Sequence, residues 1–200
     1  MEKGQLLIEQ NLVEFLEVTA SKEPVPGGGS IAAFSGATAA ALVEMVANLT
    51  LGRKNYEAVQ EEMSQTANKA RELRLRLLAA VDEDAKAYDL VMAAYKLPKA
   101  TEEEKAQRQQ SIEEALKGAA KVPMQVAKWS RDIYDLTSTV IEKGNKNAVT
   151  DGKVAKLSAT TGILGACYNV EINLDSIADQ AFVEGMKQEL SKVREDIEQK

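Results

Sequence analysis

One stretch constrains the fold of this chain more than any other. Pro24-Val25-Pro26-Gly27-Gly28-Gly29-Ser30 leads directly into Ile31-Ala32-Ala33-Phe34-Ser35-Gly36-Ala37-Thr38-Ala39-Ala40-Ala41. The prolines stop any helix before them, the glycines open backbone angles closed to other residues, and Ser30 is a good N-cap for a helix behind it. That helix, expected over about residues 30–50, carries Ala, Ser and Gly where a core helix normally carries Leu. Gly36 and Ala40 share one face, as do Ala33 and Ala37, so neighbouring helices can approach closely. Ile31, Phe34, Leu42, Val43, Met45, Val46 and Leu49 make it apolar nearly all round, which places it at the centre of a bundle. Its start offers unpaired amides at the positive end of a helix dipole, a site for a carboxylate, a phosphate or a polarised carbonyl oxygen. The plainer alternative is a flexible turn and cap.

The rest of the chain reads as helix. Ile8, Leu12, Phe15 and Leu16 recur at helical spacing and predict a first amphipathic helix over about 5–19. Tyr56 to Leu97 contains no Pro or Gly and is rich in helix formers, predicting one long helix or two nearly continuous ones. Thr101 and Glu104 form a capping box for the next, which runs to about Ile141 and is expected to bend or restart at Pro123. Gly144 to Gly152 suits left-handed backbone angles, with Thr150 or Asp151 capping a helix from about Lys153 to Asn173. Ala155, Ser158, Ala159, Gly162, Gly165 and Ala166 make that helix a natural neighbour of the central one. A more charged helix from Ile177 to about Glu198 closes the chain, and no strand signal is present. The expectation is all-α: a single domain over residues 1–200, a helical bundle around a small-residue helix. A 44% hydrophobic share suffices for one core, alone or finished by a second copy.

Residue usage narrows the chemistry. With no His and a single Cys, Cys167, the chain lacks an internal disulfide framework, the usual zinc clusters and any His-containing triad, so no metal is expected. Proton transfer must then use Asp or Glu with raised pKa, Lys with lowered pKa, Tyr, Cys or bound water. A net charge of −6 argues against nucleic acid as a partner. The sequence reads as having no run of the length of an uncharged membrane span and no signal-peptide pattern, so a cytoplasmic chain without a membrane partner is expected. On a wheel of about 100° per residue, Asp84 falls within the stripe Leu77, Val81, Tyr88, Val91, Met92 and Tyr95, whereas Asp82 lies nearly opposite. A carboxylate on a buried face needs a partner: it either holds a proton in reserve or fixes a cation, unless it is simply a satisfied polar residue.

Four motifs in order resemble one family: Pro24 to Ser30; Gly52-Arg53-Lys54-x-Tyr56; Asp82-Glu83-Asp84-Ala85-x-Ala87-Tyr88 with Leu97-Pro98; and Gly144-Asn145-x-Asn147-x-Val149-x-Asp151. The chain resembles, over nearly its whole length, the formiminotetrahydrofolate cyclodeaminases and the stand-alone methenyltetrahydrofolate cyclohydrolases. The resemblance implies an all-helical homodimer that takes a tetrahydrofolate derivative as substrate and needs no tightly bound cofactor. In cyclodeamination, N10 of 5-formiminotetrahydrofolate attacks the formimino carbon and ammonia leaves. In the cyclohydrolase direction, water opens the methenyl ring to 10-formyltetrahydrofolate. Cyclodeamination is the first expectation and no residue discriminates the two. A helical dimer that kept the fold as a scaffold or regulator without catalysis is the reading from another class.

The resemblance also implies roles: Asp84 as acid and base at the reacting carbon, Lys54 as its cationic partner, and Asp82 as a second carboxylate orienting the pterin or the lysine. Gly27, Gly28, Gly29 and Ser30 would offer backbone amides to the folate. Tyr88 would line the site, and Asn145 and Asp151 would hydrogen-bond the pterin edge. Arg53, Lys54, Lys146 and Lys153 are candidates for a positive patch facing the folate's glutamate carboxylates.

Overall fold

A computed structural model describes residues 6–195 and 197. Among the described residues there are six α-helices and no strand: α1 Leu12–Thr19, α2 Gly28–Thr50, α3 Gln60–Tyr95, α4 Glu102–Lys143, α5 Val149–Leu174 and α6 Gln180–Arg194. Helices α2 to α5 form an antiparallel four-helix bundle in which each packs on the next and α5 closes back on α2. The small residues of α2 and α5 explain that closure. A Cβ on Gly162 would stand 3.1 Å from Gly36 N and 3.2 Å from Ala32 O, so the two backbones touch where any side chain would part them. Ala32, Ala33, Ala39, Ala40, Val43 and Val46 of α2 and Ala155, Ala159, Ile163 and Ala166 of α5 are buried. Taken alone, α2 is long and apolar enough to cross a membrane, contrary to the sequence reading; here it packs against α3, α4 and α5.

Several boundaries differ from expectation. The first helix is two pieces, a 3-10 turn at Leu7–Glu9 and then α1, which restarts at an Asn11 capping box. Leu7 and Phe15 are buried, but Ile8, Leu12 and Leu16 face outward. Pro123 does not interrupt α4, which runs through it. Proline cannot donate to the carbonyl of Ala119, and Asn173 of α5 supplies the missing donor at 2.9 Å. Gly144 and Gly152 do not take left-handed angles; Gly52, after α2, is the one positive-φ glycine among the described residues. Asn145 caps a 3-10 turn, and α5 begins at Val149, so Asp151 lies within its first turn rather than capping it. The last helix begins at Gln180, after an Asp179 cap, and ends at Arg194.

Candidate active site

The glycine run lets α2 begin against two other helices. Gly27 is the N-cap, with no side-chain cap, and Gly28 is the first helical residue. Ser30 is therefore not the cap that the sequence suggests. It is fully buried in the first turn, and its Oγ lies 3.0 Å from both Val81 O and Asp84 Oδ2. One hydroxyl proton cannot serve both acceptors at full strength. With Asp84 ionised, Ser30 donates to the carboxylate; with Asp84 protonated, the acid can donate to Oγ and Ser30 to Val81.

Asp84 reaches this position because Gly29 has no side chain. A Cβ there would fall 2.6 Å from Asp84 Cγ and 2.7 Å from Oδ2. The carboxylate thus occupies the mouth that the sequence presents as bare amides. Its pKa is raised, chiefly because burial penalises the charged form, while the Ser30 hydroxyl and the Ser30 backbone N–H pull it part-way back. Among the described residues no charged neighbour contributes to that shift. Tyr88 follows one turn later on the same face of α3, and Tyr88, Met92 and Tyr95 are exposed at 36%, 36% and 45%. Past Asp84 the stripe therefore turns Tyr88, Met92 and Tyr95 outward, while Val91 still packs on the core and Ala94 is buried.

Asp82 does something else. It is buried, and its two oxygens accept from the backbone N–H groups of Leu7 at 2.6 Å and Ile8 at 3.4 Å. The wheel set it opposite the core, but the N-terminal 3-10 turn covers that side of α3. Its carboxylate is engaged in fastening the turn, which corrects the orienting role expected of it.

The remaining candidates lie at the far end of the bundle. Lys54 starts a 3-10 turn after α2 and is exposed. With Arg53, Asn55, Tyr56, Asn145 and Asn147 it lines an open polar pocket of about 440 Å³. Asn145 is held on three sides: its N–H donates to Thr50 Oγ1 at 2.8 Å, its Nδ2 to Leu49 O at 3.0 Å, and its Oδ1 accepts from Asn147 N. Tyr56 Oη accepts from Lys146 N at 3.0 Å. Asp151 is close by, in the first turn of α5. At about 1.5 Å rise per residue, α2 separates Lys54 from Asp84 by roughly 30 Å. Within one chain Lys54 is therefore not the cationic partner of Asp84, and Asn145 and Asp151 do not share its site.

The Formiminotransferase-cyclodeaminase family profile matches residues 11–192. The chain belongs to that family. A Methylorubrum extorquens protein named methenyltetrahydrofolate cyclohydrolase is 45% identical over 90% of this chain and 87% of its own length. The formimidoyltransferase-cyclodeaminase of Rattus norvegicus is 32% identical over 94% of this chain, which spans 35% of that longer protein. A Thermotoga maritima crystal structure described as formiminotetrahydrofolate cyclodeaminase superposes with a TM-score of 0.86 at 36% identity, covering 95% of this chain and 91% of the other.

In this member of the formiminotransferase-cyclodeaminase family, the sequence motifs missed one residue that the fold delivers to Asp84's end of the bundle. Asn169 of α5 packs on Gly28, its Nδ2 lying 3.2 Å from where a Cβ would stand. A signal was available: Asn169 and Asn173 sit four apart inside a helix, where asparagine is unfavourable unless its amide has a task. Asn173 serves the carbonyl freed by Pro123. Asn169 faces the start of α2.

Proposed function

We propose that this chain is a folate one-carbon enzyme that hydrolyses 5,10-methenyltetrahydrofolate to 10-formyltetrahydrofolate, with Asp84 moving the proton. The observation that carries the reading is a half-buried carboxylate with raised pKa, hydrogen-bonded by Ser30 and, among the described residues, without a cation beside it. The methenyl group is a cationic amidinium, so the substrate itself brings the missing counter-charge. Asp84 takes a proton from water as its oxygen bonds to the methenyl carbon, giving a neutral carbinolamine. It returns that proton to N5 as the carbon–N5 bond breaks, and the hydroxyl loses its proton to solvent as the formyl carbonyl forms. One group suffices for both transfers, consistent with the absence of histidine. The 45% identical relative over 87% of its length favours hydrolysis. Cyclodeamination, the first expectation from sequence, is the second reading and is favoured by the Thermotoga structure.

The enzyme works, in this proposal, as a cytoplasmic homodimer without a tightly bound cofactor. Helix α5 leaves Val154, Leu157, Tyr168 and Ile172 exposed at 51–70% along one stripe, with Val154 toward Lys54's end and Ile172 toward Asp84's end. A two-fold pairing along that stripe sets each Asp84 end against the partner's Lys54 end, where the basic pocket can meet the folate's glutamate carboxylates.

Absorbance tests the chemistry, because the methenyl form has its own near-ultraviolet band. The band should decay when methenyltetrahydrofolate is added; growth of the band and ammonia release from 5-formiminotetrahydrofolate would favour the second reading, and neither change would remove both. Asp84→Asn should lower turnover about 10²- to 10⁴-fold. Asp84→Asn and Lys54→Met homodimers, mixed and re-equilibrated, should recover about a quarter of the wild-type sites if the two ends meet across the dimer. No recovery would refute that arrangement.

A further inference from the structure

We infer that Asn169 is a second substrate-binding residue of the Asp84 site, recognising the lactam edge of the reduced pterin; this rests on the folate reading above. Gly28 and Gly29 are consecutive, their Cα atoms about 3.8 Å apart, and each is the platform for one polar side chain: Asp84 over Gly29 and Asn169 over Gly28. Asn169 is half-buried, and its Nδ2 donates to Gly165 O at 2.8 Å. That bond fixes which way the amide points, since a flip would set Oδ1 against the Gly165 carbonyl. Among the described residues it also leaves Oδ1 and the second N–H unused, one acceptor and one donor. A pterin lactam presents their complement, the N3–H donor and the O4 acceptor. In the pterin ring system O4 is the peri neighbour of N5, one of the two nitrogens carrying the reacting carbon. A side chain standing on the glycine that adjoins Asp84's is therefore placed to hold O4 while Asp84 serves N5. Asn173, one turn on, has the same side chain but spends it on Ala119.

The orientation makes a specificity prediction. A 4-amino-4-deoxy pteridine replaces the lactam by an acceptor at N3 and a donor at C4, and a fixed Asn169 rejects that pattern. Titration calorimetry with 5-formyltetrahydrofolate and with its 4-amino-4-deoxy counterpart reads this without turnover. Wild-type protein should prefer the lactam form, and Asn169→Ala should lose about 10- to 100-fold in affinity for it while the preference collapses. In turnover the same variant should raise KM by a similar factor with kcat changed less than about threefold. Asn169→Asp, which keeps the shape and adds a negative charge beside Asp84, should move the acid limb of the rate profile to higher pH. Melting temperature separates folding loss from site loss, and Asn169→Ser, smaller but still polar, should recover part of the affinity. A folded Asn169→Ala protein with wild-type affinity and wild-type discrimination would overturn the assignment and leave the folate reading standing. A wild-type protein that binds no folate would overturn both. Binding of folate without turnover would defeat the proposed reaction alone, with the calorimetric comparison still deciding Asn169.

Discussion

Replacing Gly29 with Ala tests why the glycine run is there. Gly29 has ordinary helical angles, since Gly52 alone takes positive φ among the described residues, so backbone freedom does not require glycine at this position. Space does: the new Cβ would lie 2.6 Å from Asp84 Cγ and closer still to Oδ1. Asp84 must move, breaking its bond with Ser30, and a hydrogen bond to a charged group is worth about 1.5–3 kcal/mol. Overpacking adds about 1–3 kcal/mol, and the better helix propensity of Ala returns at most about 1 kcal/mol. The net loss is then about 2–5 kcal/mol, which for a domain of this size lowers the melting temperature by roughly 5–15 °C at fixed protein concentration. Activity should fall with it. The informative comparison is the double variant Gly29→Ala with Asp84→Ala, measured by urea denaturation beside both single variants. If space is the reason, the double variant should be no less stable than Asp84→Ala alone, giving a coupling of about 2–5 kcal/mol, equal to the whole loss in Gly29→Ala, while activity stays absent. A double variant whose losses simply add would refute the steric account.

Other consequences follow from single contacts. Because burial raises the Asp84 pKa, the folded state favours its protonated form, so this group's contribution to stability declines as pH rises from the ordinary carboxylate value of 3.8 through the raised one. Asp84→Asn should accordingly melt higher than wild type at pH 7, with the advantage shrinking toward pH 4 in a series of thermal melts; an advantage that grew on acidification would contradict the burial argument. Asp82→Ala should release the N-terminal turn, seen as faster amide exchange at Leu7 and Ile8, with kcat reduced far less than by Asp84→Asn. Asn173→Ala should cost about 1–3 kcal/mol in denaturant by orphaning the Ala119 carbonyl, and adding Pro123→Ala should restore most of it by returning the helical N–H.

What the sequence determined is local. A period near 3.6, the capping box at Thr101 and the small-residue runs were enough for an all-helical chain with α2 at its centre and α5 against it. They also singled out Asp84, because a carboxylate near the start of a buried face disturbs the pattern by itself. Tertiary structure decided which residues meet. A helical wheel knows one helix and assigns each residue a side, but it cannot know that the N-terminal turn would cover Asp82 or that Tyr88 would face outward one turn past Asp84. Nor does motif order carry distance: Lys54 and Asp84 stand close in the list of motifs and at opposite ends of α2 in space. Asn169 is remote in sequence from the glycine run and meets it because α5 runs antiparallel to α2 in a register set by Gly36 and Gly162. Short-range periodicity is written into each segment, whereas pairing between segments follows from how whole helices pack against one another.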